Sequence, residues 1–190
     1  LGHVEGWLSE AKETSLLFHP YISEAGERGP FVDASARASF IGLDLNHGFA
    51  DMVRAVFNGL AMASRDCYVE MGPLPSQVRL TGGAARSASL RRILGGALGC
   101  PVQTSEREEA GAAGTAMIAA VSLGIYGSME DCVKQWVTPY QRPAEAADKA
   151  MAARFNAAFP LYRQSRLSLR PVWHALSHGA APGSEQERPS

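Results

Sequence analysis

The sequence predicts an α/β domain in which short strands alternate with helices in layers. Three observations lead to this class. Residues 78–102 have the pattern strand, glycine turn, helix, strand; residues 47–71 carry apolar side chains at the spacing of a long amphipathic helix; and short apolar runs at 16–22 and 38–43 are typical of strands. With 190 residues, 46% of them hydrophobic, the chain is long enough for one core of good size.

The elements before the central segment follow from local patterns. Residues 1–17 carry apolar side chains at helical spacing and predict a helix. The run at 16–22 predicts a strand or an extended segment, and residues 23–37, rich in Gly, Pro, Ser and charge, predict a long loop. A second strand is expected at 38–43 and the long amphipathic helix at 47–71.

The other elements are organised around one segment, VRLTGGAARSASLRRILGGALGCPV. A strand stops at Gly82 and Gly83, Ser87 or Ser89 caps the next helix, and Gly99 ends that helix before a further strand. Glycines at the carboxyl end of a strand leave bare backbone where α/β proteins bind ligands. A tight turn without a ligand explains the same residues equally well.

Three further helices are expected after this segment. Residues 110–123 are apolar nearly all round and predict a buried helix. Residues 128–138 predict a short capped helix, and residues 144–166 predict a longer helix that Pro160 kinks or interrupts. From residue 177 to 190 the composition is that of a frayed tail.

Composition and motif spacing exclude several kinds of function. The net charge of −1 gives no electrostatic footprint for nucleic acid or an anionic membrane, and no apolar run is long enough to span a bilayer. The lysines, Lys12, Lys134 and Lys149, lie outside any GxxxxGK[ST] pattern, and GGAARS is not GxGxxG. Three widely spaced cysteines without a CxxC pair favour reduced thiols in the cytosol. The first residue, Leu1, suggests a fragment or a processed product.

Four ordered motifs together resemble the carboxyl-terminal lobe of the FGGY carbohydrate kinases. They are GERGP at 26–30, ASFIGLDLNHGFADMVRAVFN at 38–58, LTGGAARS at 80–87 and EEAGAAGTAMIAAVSLG at 108–124. Asn58 departs from an acidic position of the family pattern, and Thr115 replaces an alanine. The resemblance covers roughly residues 16–140, and four motifs in order are more specific than any one of them.

The resemblance implies a fold and a ligand. The fold is an actin-like ATPase (ribonuclease H-like) lobe, a mixed sheet with helices on both faces. Residues 1–176 form the carboxyl-terminal nucleotide-binding lobe, with its core at 16–140 and its last helix at 144–166, and residues 177–190 are a flexible tail. The expected adenosine-site residues are Gly82, Gly83, Ala84 and Ser87.

The activity that the resemblance implies is transfer of the γ-phosphoryl group of Mg²⁺-ATP to a hydroxyl of a sugar or polyol. The family's catalytic aspartate, metal ligands and main sugar contacts lie upstream of the matched region, so no catalytic or metal-binding residue is assigned here, and the fragment alone is expected to be inactive. The overall resemblance of the sequence favours the pentulose and polyol branch of the family (xylulose, lyxose or erythritol kinases). A cytoplasmic protein, which can form a homodimer and binds neither nucleic acid nor membrane, is expected.

Two other classes of function stay open at this point. A non-catalytic actin-like or pseudokinase module can use the same turn for packing or regulation. A generic nucleotide-binding α/β domain, such as a piece of a dehydrogenase, also fits an isolated strand, turn and helix. An aspartate in the upstream sugar-binding segment would favour the kinase over the non-catalytic module. Thermal protection by ATP but not by NAD would argue against the generic nucleotide-binding domain.

Overall fold

Helices and short strands alternate along residues 2–107 and 109–177, the part of the chain that the computed structural model describes. The helices are α1 (Gly2–Glu10), α2 (Phe49–Met71), α3 (Ala88–Leu98), α4 (Ala110–Ser122), α5 (Met129–Trp136) and α6 (Lys149–Ser177). The strands are β1 (Leu17–His19), β2 (Ser39–Ile41), β3 (Val78–Leu80) and β4 (Val102–Thr104). The α/β class and the order strand, glycine turn, helix, strand are therefore confirmed.

The four strands pair in two separate sheets, which differs from the single mixed sheet that was expected. Strands β1 and β2 are antiparallel, with Phe18 opposite Phe40. Strands β3 and β4 are parallel, with Arg79 opposite Gln103, and α3 is the crossover that parallel pairing requires. Both directions of pairing are present, but among the described residues no strand joins one pair to the other.

Helix α2 lies at the centre of the packing, in contact with α1, β1, α3 and α6. Gly59 allows β1 to approach this helix closely, because a Cβ there would lie 2.1 Å from the carbonyl oxygen of Phe18. The largest apolar cluster joins α1, α2, α3 and α6 through buried side chains: Leu8, Ala61, Met62, Ile93, Ala97, Met151, Phe155, Phe159 and Tyr162.

Helix α4 is less buried than its composition predicts. Ala113, Met117 and Ala120 are buried, and Met117 and Ala120 pack with Cys132 of α5. In contrast, Ile118 is 60% exposed and Leu123, just after the helix, is 76% exposed. The expectation of burial on all sides is wrong for the described residues, because α5 covers one face of α4 and leaves another open.

Helix α6 is longer than predicted and starts later. It begins at Lys149 instead of 144 and continues to Ser177, past Pro160 and Pro171, so Pro160 does not interrupt it. Phe159 and Tyr162, on either side of Pro160, are both buried, and this packing offsets the hydrogen bond that proline cannot make. The rest of the predicted tail, residues 178–190, lies outside the described residues.

Within the described ranges, none of the helices combines the length and the apolar character needed to cross a membrane.

Candidate functional site

The glycine turn after β3 lies open to solvent. Gly82 has φ +75°, a conformation that favours glycine, and a short 3-10 helix (Gly83–Arg86) follows it. The Ala85 N–H donates to the carbonyl oxygen of Gly82 at 3.1 Å, which closes the turn. Gly82 and Gly83 are exposed, and a Cβ built on either would have no neighbouring atom within 4 Å. The bare backbone that the sequence predicted is therefore accessible.

Ser87 supports the turn from its buried side. Its side chain accepts a hydrogen bond from the Leu90 N–H at 3.0 Å, so Ser87, and not Ser89, is the cap of α3. Both serine hydroxyls donate to the carboxylate of Glu5 in α1, and these hydrogen bonds lower the pKa of Glu5. With 4% of its surface exposed and its hydroxyl engaged, Ser87 holds the turn in place and does not face the open side.

Beside the turn lies a cavity of about 290 Å³. Of the four residues predicted for the adenosine site, Gly82 lines this cavity, while Gly83, Ala84 and Ser87 do not. The cavity lies between the turn and the carboxyl end of β4. Its walls include four arginines and one carboxylate: Arg86, Arg91, Arg107, Arg142 and Glu106.

Arg91 fastens the turn to the segment beyond β4. One of its guanidinium nitrogens donates to the carbonyl oxygen of Ala85 at 2.8 Å, and its Nε donates to Glu145 at 2.8 Å. Glu145 is in turn bound through its backbone to Val102 of β4, by a pair of hydrogen bonds of 2.9 Å. Arg91 therefore contributes to the shape of the cavity as well as to its charge.

Arg107 is held in position at the cavity wall. It donates to the carbonyl oxygen of Trp136 at 2.8 Å, and its guanidinium lies over the ring of Tyr140, 4.5 Å from the ring centre. Its Nε is buried and has no hydrogen-bond partner among the described residues. Arg107 is thus fixed at the wall by one hydrogen bond and one ring contact.

The cavity carries an excess of positive charge. The pair formed by Arg142 and Glu106 joins exposed side chains at 3.6 Å and is weak in water. Four guanidinium groups line the cavity against Glu106 in its wall and Glu145, which pairs with Arg91, and this arrangement favours an anionic ligand. Sequence reasoning missed this cluster because its members come from three distant segments; the signal available was the strong preference of the chain for arginine over lysine.

The described residues bring no large set of metal ligands together. Among them, no three or more His, Cys, Asp or Glu side chains come together as a metal ligand set. Because Mg²⁺ in phosphoryl-transfer sites is usually held by one or two carboxylates together with the phosphates, its ligands remain a prediction for residues outside the chain.

The open glycine turn lies at the end of a parallel strand and leads through a short 3-10 helix into a capped helix, which is where α/β proteins commonly bind ligands. The model of the FGGY family of carbohydrate kinases, C-terminal domain, matches residues 5–123. The chain belongs to the FGGY family of carbohydrate kinases, and the resemblance found in its four motifs is confirmed.

The relatives and solved structures agree with this family. The chain is 52% identical to the erythritol kinase of Brucella abortus over 93% of its own length and 34% of that protein. It is 33% identical to a xylulose kinase of Staphylococcus epidermidis, over 68% of the chain and 26% of that protein. A ligand-bound xylulose kinase structure from Lactobacillus acidophilus superposes with a TM-score of 0.80 at 25% identity, covering 92% of this chain and 36% of the other. The chain thus spans about a third of the length of these proteins.

Proposed function

We propose that this chain is the carboxyl-terminal, ATP-binding lobe of a carbohydrate kinase that transfers the γ-phosphoryl group of ATP to a sugar or polyol hydroxyl. The observation that carries the proposal is the open backbone at Gly82 and Gly83 beside a cavity rich in arginine. Membership of the FGGY family supports it independently. The substrate class we favour is a four- or five-carbon polyol or ketose, because the relative with 52% identity is an erythritol kinase.

The parts of the turn have separate roles in this proposal. The backbone of Gly82, Gly83 and Ala84 offers a flat surface on which the adenosine of ATP rests, and Ser87 fixes that backbone from below. The positive cavity draws the negatively charged nucleotide to this face of the lobe. Bound ATP supplies the phosphoryl group; the residues that hold the acceptor and Mg²⁺ are expected in the part of the relatives that this chain does not span.

The substitution Gly83→Val tests the adenosine site in the full-length protein. The φ of Gly83 is negative and its Cβ would meet nothing within 4 Å, so the fold should accept valine, while the branched side chain would occupy the space above the backbone. We expect nucleotide binding to be lost with the melting temperature nearly unchanged. Gly127→Val is the matched control, since a Cβ at Gly127 has only an ordinary contact at 3.9 Å. Unchanged ATP affinity in the Gly83→Val protein would contradict the assignment.

Thermal protection separates the proposed kinase from the other classes. A ligand at 100 times its dissociation constant stabilises a protein by about 2.7 kcal/mol, which shifts the melting temperature by several degrees. We expect ATP to protect the full-length protein and NAD to leave it unchanged; protection by NAD alone would favour the generic nucleotide-binding domain. A coupled assay of ADP release with erythritol, xylulose and lyxose then distinguishes a kinase from a non-catalytic module.

Association of two copies is also part of the proposal. The exposed apolar side chains of Ile118, Leu123 and Ile125 give α4 and the turn after it a surface that a second molecule can cover. Light scattering of the full-length protein measures this directly, and a monomer at micromolar concentration would exclude the homodimer.

A further inference from the structure

A second cleft, of about 590 Å³, shares no residue with the cavity at the glycine turn. It lies between the linker that follows α1, one face of α2 and the first half of α6, and α3 contributes Arg92 at its edge. Part of its wall is apolar, formed by Leu16, Met62 and Phe155. The cleft is therefore wide enough for a small organic molecule and has an apolar surface for part of it.

Four basic side chains line this cleft, and they come from four different elements: Lys12, Arg54, Arg92 and Arg154. Glu13 is the one carboxylate among the described lining residues. Glu13 pairs with Arg154 at 2.7 Å, and Arg92 pairs with Asp148 at 3.2 Å, both on the exposed rim where ion pairs are weak. These two pairs leave Lys12 and Arg54 without a carboxylate partner among the described ion pairs.

Arg54 is the least compensated of these groups. It donates to the carbonyl oxygen of Leu8, but its Nε is buried and finds no hydrogen-bond partner within the described ranges. Burial, together with the positive charges of Arg92 and Arg154, lowers the pKa of Arg54. Three guanidinium groups thus line one cleft, and Glu13 is the carboxylate that acts against their repulsion at Arg54.

Asn58 stands where a carboxylate would relieve this repulsion. It follows Arg54 by four residues in α2, so the two side chains lie on the same face of the helix, and both line the cleft. Position 58 is also where this chain departs from the acidic residue of its sequence pattern. Arg54 therefore has a neutral amide, and not a carboxylate, one turn further along the helix.

We propose that this cleft binds a small phosphate monoester, whose phosphate lies between Arg54, Arg92 and Arg154 and whose carbon skeleton packs on the apolar wall. Guanidinium groups bind phosphate oxygens through paired N–H donors, and Arg54, Arg92 and Arg154 all line the cleft. The amide of Asn58 can hydrogen-bond the ligand without repelling it. The site does not depend on the proposed kinase activity, since it is separate from the glycine turn.

Isothermal titration of the full-length protein with glycerol 3-phosphate tests the proposal, with glycerol as the neutral analogue. We expect the ester to bind and glycerol not to bind. Asn58→Glu should weaken the binding by about tenfold or more, because the new carboxylate pairs with Arg54 and repels the phosphate. Asn58→Gln, which keeps an amide and adds no charge, is the matched control and should weaken the binding far less than Asn58→Glu. Asn58→Glu should also melt no lower than the parent, which excludes misfolding as the cause.

A second pair of variants locates the phosphate. Arg154 is half-exposed, with 47% of its side chain accessible, so Arg154→Gln should keep the fold and weaken binding, whereas Lys134→Gln on the surface of α5 should not. Binding that survives Asn58→Glu would place the phosphate at the other arginine-rich cavity and overturn the proposal. Inorganic phosphate that binds as tightly as the ester would show an adventitious ion only and overturn it as well.

Discussion

Gly59 shows how much a single residue can decide in this fold. It lies in the middle of α2, where glycine weakens a helix, yet its missing side chain lets the backbone of Phe18 in β1 touch the helix. A Cβ at this position would overlap the carbonyl oxygen of Phe18 at 2.1 Å, and a backbone atom cannot move aside as a flexible side chain can. The contact between helix and strand therefore depends on glycine.

We predict that Gly59→Ala lowers the free energy of unfolding by about 1–3 kcal/mol, because β1 must move away from α2. Urea denaturation monitored by circular dichroism measures the loss. Gly114→Ala in α4 is the matched control: a Cβ there meets nothing within 4 Å, so this change should stabilise the protein by about 0.4–1 kcal/mol. Equal stability of the Gly59→Ala protein and its parent would contradict the packing described for α2.

Residues that act through long-range contacts could not be predicted from the sequence. The pattern identified Gly82, Gly83 and a cap at Ser87 or Ser89 because a turn and a cap are local features, and the structure shows the cap to be Ser87. It gave no reason to choose Gly59, or Glu5, whose partners in α3 lie more than eighty residues away along the chain. Contacts of this kind are set by the tertiary fold, and the periodicity of apolar residues along the sequence does not indicate them.

At the scale of elements, a buried ion pair joins the two longest helices. Asp66 of α2 is fully buried and contacts Arg166 of α6, which is itself only 6% exposed. Arg163 adds a second contact to the same carboxylate at 3.2 Å. Burial raises the pKa of Asp66, and the two arginines act in the opposite direction. The buried charge of Asp66 thus fixes the position of α6 on α2, because it must stay in contact with Arg166.

We predict that Arg166→Met destabilises the protein by about 3–5 kcal/mol, because Asp66 would remain buried without its main partner. The double variant Arg166→Met with Asp66→Leu should regain most of this loss, since two apolar side chains can replace a buried pair. A complete cycle of urea denaturation curves measures the coupling. Additive effects of the two changes would show that the pair does not act as a unit.

A second junction, between β1 and α6, makes stability depend on pH. His19 of β1 is fully buried, accepts or donates a hydrogen bond with the hydroxyl of Ser165 at 2.9 Å, and packs against the ring of Tyr162. Burial, reinforced by the charge of Arg166, lowers the pKa of His19 to about 4. The folded protein therefore keeps this imidazole neutral at a pH at which the unfolded chain already binds a proton.

We predict that the lower pKa of His19 in the folded protein than in the unfolded chain removes about 3 kcal/mol of stability as the pH falls from about 6.5 to 4. In this range the unfolded state binds more protons than the folded state. Urea denaturation at several pH values should show His19→Gln with a flatter profile in this window than the parent. His3→Gln, at an exposed position of α1, is the control and should follow the parent. Parallel profiles for His19→Gln and the parent would contradict the assignment to His19.

Helices were predictable where their own residues determine them. The structure contains the long helix α2 that the apolar spacing predicted. It also has the expected cap and final glycine of α3 and the Ser128 cap of α5. The length of α6 and the exposure of α4 did not follow from local pattern. Packing on both sides of Pro160 carries α6 through a residue that normally stops a helix, and burial of α4 depends on what lies beside it.

At the scale of the whole molecule, the class and the family were readable from ordered motifs, and the arrangement of the strands was not. Each strand has three residues, so the pairing partners are fixed by the helices that bring them together and not by strand sequence. The arginine cluster around the glycine turn could not be predicted from the sequence either, since Arg91, Arg107 and Arg142 meet only after folding.

We predict that the 190-residue chain alone releases no ADP above background in a coupled assay with ATP, Mg²⁺ and a polyol. Phosphoryl transfer needs an aligned acceptor, a base and a metal-bound phosphate, and the chain spans only 34% of its erythritol kinase relative. The full-length protein under the same conditions is the positive control. Turnover by the purified chain alone would show that it carries a complete catalytic site.

Trp173 gives the molecule a built-in optical reporter. Its indole is 1% exposed and meets the ring of Tyr21 edge-on, at a centroid distance of 5.5 Å, and that of His19 at 6.4 Å. Trp7 and Trp136 are only half-buried, so the blue edge of the tryptophan emission belongs mainly to Trp173. A protonated imidazole quenches a neighbouring indole, and acid titration followed by fluorescence would therefore register the charging of His19 without any added dye.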